Sequence, residues 1–173
     1  MATRRTADAN SLLIGPAYAV AILFVVLPII DTFSQTWPIT LSSPGWRYGT
    51  IGIGANYLIS ILFGTLGIIA LAADGEHRRT LRVMSVLCGI ATVIALVAMI
   101  GFLLDAIQVR AGIPAGETRT RRLFDIGGAK AALKYVLAAL VFGWLTFAAW
   151  RRAKAIPRVK GDEAAVLVGE HRK

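Results

Sequence analysis

The sequence predicts an all-α integral membrane protein, folded as an antiparallel bundle of four transmembrane helices. Apolar residues make up 56% of its 173 residues, whereas about 45–50% is usual for a soluble domain. They are concentrated in four blocks that polar segments separate. The length suits one bundle and leaves no room for a second large domain.

Each apolar block is long enough to cross a bilayer as a single helix. The predicted spans are residues 11–30, 51–73, 83–104 and 129–150. The first three contain no charged residue, and the fourth carries only Lys130 and Lys134, both near its start. About 20 helical residues cross a hydrocarbon core of about 30 Å. We expect the first span to be uncleaved, because no small-x-small cleavage site follows its apolar run.

The positions of the basic residues predict the orientation of the four spans. Of the 19 Lys and Arg residues, 12 lie in the tail 1–10, the segment 74–82 and the basic tail 151–173. Because Lys and Arg accumulate on the cytoplasmic side, both termini are expected to be cytoplasmic. The membrane expected is a bacterial cytoplasmic membrane. The second external loop is unusually basic for this orientation, with Arg110, Arg119, Arg121 and Arg122.

The net charge of +9 also raises the question of nucleic-acid binding. The basic residues lie mainly at the ends of spans, where they face anionic lipid headgroups. Membrane lipids are therefore the predicted partners, and nucleic acid is not.

Four glycines stand close together in the stretch GWRYGTIGIGANYLIS, residues 45–60. A dinucleotide-binding loop would need a buried strand before the glycines and a third glycine in the fingerprint. Neither is present, and no Gly-Lys-Ser/Thr follows for a phosphate-binding loop. The glycines therefore favour a role in helix packing.

Small and weakly polar residues recur every three or four positions in the second and third spans, which predicts helix-packing seams. A stripe at this spacing lies on one helix face and lets two membrane helices approach closely. On the third span, branched residues such as Val93 and Val97 lie on the opposite face and are expected to meet lipid. The seam residues are Gly52, Asn56, Ser60, Gly64, Gly67, Gly89 and Thr92.

The two halves of the chain resemble each other faintly. The first span runs into Asp31 and then Gln35, and the third runs into Asp105 and then Gln108, before an external loop with proline. This pattern suggests an alternative description of the bundle as two parallel copies of a helical hairpin.

Charged residues at the external ends of the spans form the candidate site. Lys134 is the deepest charge, and a charge at that depth needs a partner or must extend outward to water. Asp105 or Asp31 is the expected partner. The cluster is interpreted either as ion pairs that fix the bundle or as an outward-facing pocket for an anion. Its members are Asp31, Asp105, Lys130, Lys134 and Arg110.

The sequence predicts no catalytic set, metal site or cofactor. It has two histidines and one cysteine, and no acidic residue lies in the middle of a span. The predicted function is that of a non-enzymatic multi-pass protein acting through helix–helix contacts, as an accessory or assembly subunit of a larger membrane complex. Its partners would be other transmembrane subunits or further copies of itself. The alternative is a small transporter or a lipid- or anion-binding protein that uses the charged pocket.

Overall fold

The structure, a computed structural model, describes the backbone of residues 2–157 and the side chains of residues 13–157. This part of the chain is all-helical. Its four helices are α1 (Ala2–Thr36), α2 (Pro44–Asp74), α3 (Arg78–Ala111) and α4 (Thr118–Ala155). Each is long and apolar enough to cross a membrane. The prediction of an all-α chain with four such helices is confirmed.

The helices extend beyond the predicted spans into the segments that separate them. α1 already begins at Ala2, so the predicted N-terminal tail is helical. The loop between α3 and α4 comprises only residues 112–117, and Arg119, Arg121 and Arg122 lie on α4. The predicted C-terminal tail is helical up to Ala155, and its residues 158–173 lie outside the described part of the chain.

Local sequence explains where α2 begins and ends. The Ser43 hydroxyl accepts a hydrogen bond from the Trp46 backbone N–H at 3.3 Å, and Pro44 occupies the first turn. Both features are favoured at a helix N-terminus. At the other end, Glu76 adopts a positive φ of 53° in a turn that leads directly into α3. We call the end with the loops 37–43 and 112–117 the loop end, and the end with the turn 75–77 the turn end.

The buried core belongs to α2, α3 and α4. Two clusters of buried residues lie along these helices, one around Leu81, Phe142 and Leu145 and the other around Ala55 and Phe102. No buried member of either cluster comes from the described residues of α1. No Cα of α1 lies within 8 Å of a Cα of α3 or α4 in the described chain, whereas α1 and α2 are in close contact. The fold is therefore a three-helix core with α1 attached to α2.

Candidate functional site

The most buried charge of the predicted cluster, Asp105, pairs with an arginine outside that cluster. Asp105 is only 4% exposed. Its carboxylate accepts two hydrogen bonds from Arg47 Nε, at 2.9 and 3.2 Å, and one from Arg47 Nη2. Arg47 Nη1 also donates to the Leu41 carbonyl oxygen at 2.6 Å. One ion pair thus joins α2, α3 and the loop between α1 and α2.

The remaining charges of the predicted cluster are dispersed. Arg110 pairs with Asp125 on the surface, at 2.8 Å between Arg110 Nε and Asp125 Oδ1. Lys134 Nζ donates to Asn56 Oδ1 at 2.8 Å and pairs with neither of the expected partners, Asp105 and Asp31, within the described residues. Asp31 is exposed and forms no ion pair with any side chain of residues 13–157, and Lys130 is also exposed. The structure does not bring the five predicted residues into one pocket.

The seam residues of α2 face three different helices. Ser60 donates to the Phe24 carbonyl oxygen of α1 at 3.0 Å. Among the glycines of α2, Gly64 lies closest to α1, since a Cβ built there would lie 2.5 Å from the Ala21 carbonyl oxygen. Gly67 faces the same helix less tightly, at 3.3 Å from Ala21 Cβ.

The other α2 members of the seam have different neighbours. Gly52 points toward Phe102 of α3, at 4.0 Å from the ring, and Asn56 meets Lys134 of α4. A step of four residues advances by more than one turn of a 3.6-residue helix, so the stripe rotates around α2. This rotation explains why one sequence stripe serves several neighbours.

The seam residues of α3 meet a matching pair on α4. A Cβ at Gly89 would lie 3.8 Å from Thr146, and a Cβ at Gly143 would lie 3.9 Å from Thr92. Each glycine therefore faces a threonine of the other helix. Ser85 adds an interhelical hydrogen bond from its hydroxyl to the Thr146 carbonyl oxygen, at 2.9 Å.

The separation of α1 from α3 leaves an open apolar groove, which we call the α1–α3 groove. It has a chamber of about 590 Å³ toward the loop end and one of about 360 Å³ toward the turn end. α1 and α3 form its walls, and α2 with Phe142 of α4 forms its floor. The chambers adjoin each other, because Ile29, Ile61, Ala91 and Phe142 line both. Along α3 the groove extends from Met84 to Ala98.

Polar side chains at the loop end of the groove fix the helices that line it. Trp46 Nε1 donates to the Thr36 carbonyl oxygen at 2.9 Å, which ties α2 to the end of α1. The Tyr135 hydroxyl donates to the Ile51 carbonyl oxygen at 2.8 Å, which ties α4 to α2. Both residues line the larger chamber. These hydrogen bonds therefore hold the helices in place at the loop end of the groove, and the rest of the groove lining is largely apolar.

Two threonines of α2 line the groove with hydroxyls that have no hydrogen-bond partner among the described residues. Thr50 lines the larger chamber and Thr65 the smaller one. Other threonines in the helices bond the carbonyl four residues earlier, as Thr32 does to Pro28 at 2.7 Å. Thr65 as a whole residue is only 5% exposed.

The groove can hold an apolar, rod-shaped group, and the charged side chains described above lie outside its lining. No cluster of three metal-binding side chains occurs in the part of the chain that the structure describes. Sequence reasoning missed the groove because it treated the four helices as equivalent. One signal was available, since residues 22–30 of α1 contain no glycine, alanine or serine, the residues that favour close approach of two membrane helices.

Comparison of the chain with protein-family models, with curated proteins and with solved structures finds no match.

Proposed function

We propose that the four helices cross a membrane in antiparallel order, with both termini in the cytoplasm. Contacts near both ends of each pair support this order. Tyr18 meets His77 at 3.0 Å and Trp46 meets Thr36 at 2.9 Å, at opposite ends of the α1–α2 pair. In the α3–α4 pair, Ser85 meets Thr146 near one end and Arg110 meets Asp125 near the other. The side chains around the bundle are large and apolar, as lipid contact requires.

The orientation predicts the side of each connecting segment. Reporter fusions at Ser43 and Gly116 should be external, and fusions at Gly75 and Gly161 should be internal, because the turn end carries the larger share of basic residues. Measuring paired phosphatase and fluorescent-protein fusions checks this. An internal signal at Ser43 would contradict the orientation.

The proposed function is that of a non-enzymatic accessory subunit, whose α1–α3 groove receives a transmembrane helix of another protein. The observation that supports it is the lack of close backbone contact between α1 and α3 or α4 in the described chain, which leaves a groove between α1 and α3 with α2 as its floor. A docked helix would contact α1, α2 and α3 together. Two small groove-lining residues that are not fully buried, Ala91 and Ala98, would allow the close approach on which helix association in membranes depends.

The length of the groove favours a helix over a single lipid chain as its occupant. From Met84 to Ala98 it follows roughly 21 Å of α3 at 1.5 Å per residue. A lipid chain occupies one leaflet, about half of a hydrocarbon core of about 30 Å. The groove is therefore longer than one leaflet and suits a spanning segment.

The alternative, an anion- or lipid-binding pocket at the loop end, has less support. Asp105, Arg110 and Lys134 are each engaged by a different local partner, Arg47, Asp125 and Asn56 respectively. No converging set of unengaged cationic groups remains among the predicted cluster to surround an anion.

Filling the groove should release the partner. Ala91 lines both chambers, so Ala91→Phe places a ring where the docked helix would lie. Ile90→Phe is the matched control, because Ile90 is 51% exposed and does not line either chamber. Native mass spectrometry after extraction from the membrane in polymer nanodiscs should show a second protein at fixed stoichiometry with the wild type and the control. That protein should be absent with Ala91→Phe. Equal retention by both variants would contradict the groove as the binding site.

A further inference from the structure

A second, smaller groove runs along the surface between α2 and α4, and we call it the α2–α4 groove. It has a volume of about 210 Å³ and is lined by apolar side chains of residues 59–66 on α2 and 141–145 on α4. Phe63 and Trp144 in this lining are 66% and 64% exposed. The groove is therefore open to the surroundings of the bundle along its length.

The contact between Lys134 and Asn56 lies in line with this groove, toward the loop end. Both α2 and α4 begin at the loop end. Phe63 and Val141, which line the groove, are separated by the same 78 residues as Asn56 and Lys134. Each lies seven residues further along its helix, close to two full turns, and so on the same face. The polar contact and the groove thus form one continuous strip of surface.

The polar end of this strip has a positive charge without a counter-charge. Lys134 Nζ uses one of its three N–H donors on Asn56 Oδ1, at 2.8 Å, and the amide N–H donors of Asn56 have no partner among the described residues. Lys130 is exposed and lies one turn nearer the loop end. Neither lysine forms an ion pair with a side chain of residues 13–157. Asn56 is neutral, whereas a cation within a membrane span calls for an anionic partner.

We propose that a phospholipid with a net negative headgroup binds this strip, in the leaflet at the loop end. Its phosphate accepts hydrogen bonds from Lys134, Lys130 and the Asn56 amide, and one of its acyl chains lies in the α2–α4 groove. A single phosphate group in the headgroup region keeps contact with water on its other side, so this site needs no pocket of converging cations. The inference depends on the membrane insertion proposed above and not on the partner helix.

The length and charge of the strip favour this occupant over other anions and lipids. From Asn56 to Leu66 it follows roughly 15 Å of α2 at 1.5 Å per residue, which is half of a hydrocarbon core of about 30 Å. That is the depth of one leaflet, so the groove ends where an acyl chain ends. A soluble anion would leave the groove unfilled. A zwitterionic headgroup would bring its own cation close to the two lysines, which is unfavourable.

The experiment titrates the purified chain in detergent with dioleoyl-phosphatidylglycerol or dioleoyl-phosphatidylcholine and measures bound lipid by native mass spectrometry. Lys134→Gln removes the charge but keeps a side-chain donor for Asn56. Lys130→Gln removes a charge that makes no hydrogen bond within the described chain, so it tests the site without loss of an internal contact. Arg122→Gln is the matched control, because Arg122 is also exposed near the loop end but lies eight residues before Lys130.

The wild type should bind one phosphatidylglycerol more tightly than phosphatidylcholine. Lys134→Gln and Lys130→Gln should each weaken phosphatidylglycerol binding by about fivefold, as expected for one lysine near an anionic lipid, and should leave phosphatidylcholine binding unchanged. Arg122→Gln should bind both lipids as the wild type does. Val141→Phe should weaken phosphatidylglycerol binding by filling the groove, whereas Leu140→Phe should not, because Leu140 is 66% exposed and does not line the groove.

Three results would overturn the inference. Phosphatidylglycerol binding that is unchanged in both lysine variants would show that they do not contact the headgroup. Equal weakening by Arg122→Gln would show a general effect of net charge in place of a site. Displacement of the lipid by inorganic phosphate, or equal binding by Val141→Phe and Leu140→Phe, would show that the groove holds no acyl chain.

Discussion

Gly64→Ala is expected to lower the free energy of unfolding by about 1–3 kcal/mol, the usual range for overpacking. The added Cβ would lie 2.5 Å from the Ala21 carbonyl oxygen and 2.9 Å from Phe24 Cβ, so the backbone of α1 must move. Because α1 packs closely against only α2 in the described structure, the strain destabilises the α1–α2 interface. Unfolding in mixed micelles measures the change.

Gly101→Ala is the matched control for this substitution. Gly101 also lies inside a long helix, but nothing lies within 4 Å of a Cβ built there. Alanine is the better helix former, so Gly101→Ala should be neutral or slightly stabilising. Equal changes in the free energy of unfolding for the two substitutions would contradict the close contact between α1 and α2 at Gly64.

Asp105→Ala is expected to have the largest effect of any single substitution in the bundle. It would leave the Arg47 guanidinium without its carboxylate in a partly buried site. Breaking a buried ion pair by removing one member costs about 3–5 kcal/mol. Arg47 keeps about a third of its side chain exposed, so we expect about 3 kcal/mol, the lower end of that range. Chemical unfolding of the purified chain measures it.

Two further variants test whether the loss of stability in Asp105→Ala comes from breaking its ion pair with Arg47. The double change Arg47→Met with Asp105→Leu should recover most of the lost stability, because removing both members of a buried pair is often nearly neutral. Asp125→Ala breaks the exposed pair with Arg110, whose side chains are 53% and 47% exposed. It should cost less than about 1 kcal/mol, as surface pairs do. A double variant as unstable as Asp105→Ala would contradict the pairing.

The number and approximate positions of the helices could be predicted because they depend on local properties of the chain. A block such as residues 83–104 satisfies its own backbone hydrogen bonds as a helix, whatever its neighbours do. The two faces of α3 also followed from local pattern, since small residues such as Ser85 and Cys88 are buried and the branched Val93 and Val97 are exposed.

The partners of the charged residues could not be predicted, because they depend on where the helices end and how the helices are rotated against one another. Asp105 meets Arg47 because α2 begins at Pro44 and α3 continues to Ala111, beyond both apolar blocks. Lys134 meets Asn56 because of how α4 is rotated about its axis against α2. A shift of one residue turns a side chain by about 100° around a helix, so small differences in packing change the partner.

The largest difference between the structure and a symmetric four-helix bundle is the position of α1. The apolar run of α1 predicted a helix, but it did not indicate which of the other helices α1 would contact. In the described structure α1 packs closely against α2 alone, and Gly64 of α2 faces Ala21 and Phe24 of α1. The hairpin repeat stays a prediction, although Asp31 is exposed and its counterpart Asp105 is buried.

Photo-crosslinking in the native membrane tests the central proposal, that another helix lies in the α1–α3 groove, most directly. A benzophenone amino acid would be placed at Ile94, which lines the groove, or at Val93, which faces away from it. The two positions are 62% and 60% exposed, so lipid reaches both equally. The proposal predicts one discrete protein adduct from Ile94 and only lipid adducts from Val93. Lipid adducts alone from both positions, or the same protein adduct from both, would contradict it.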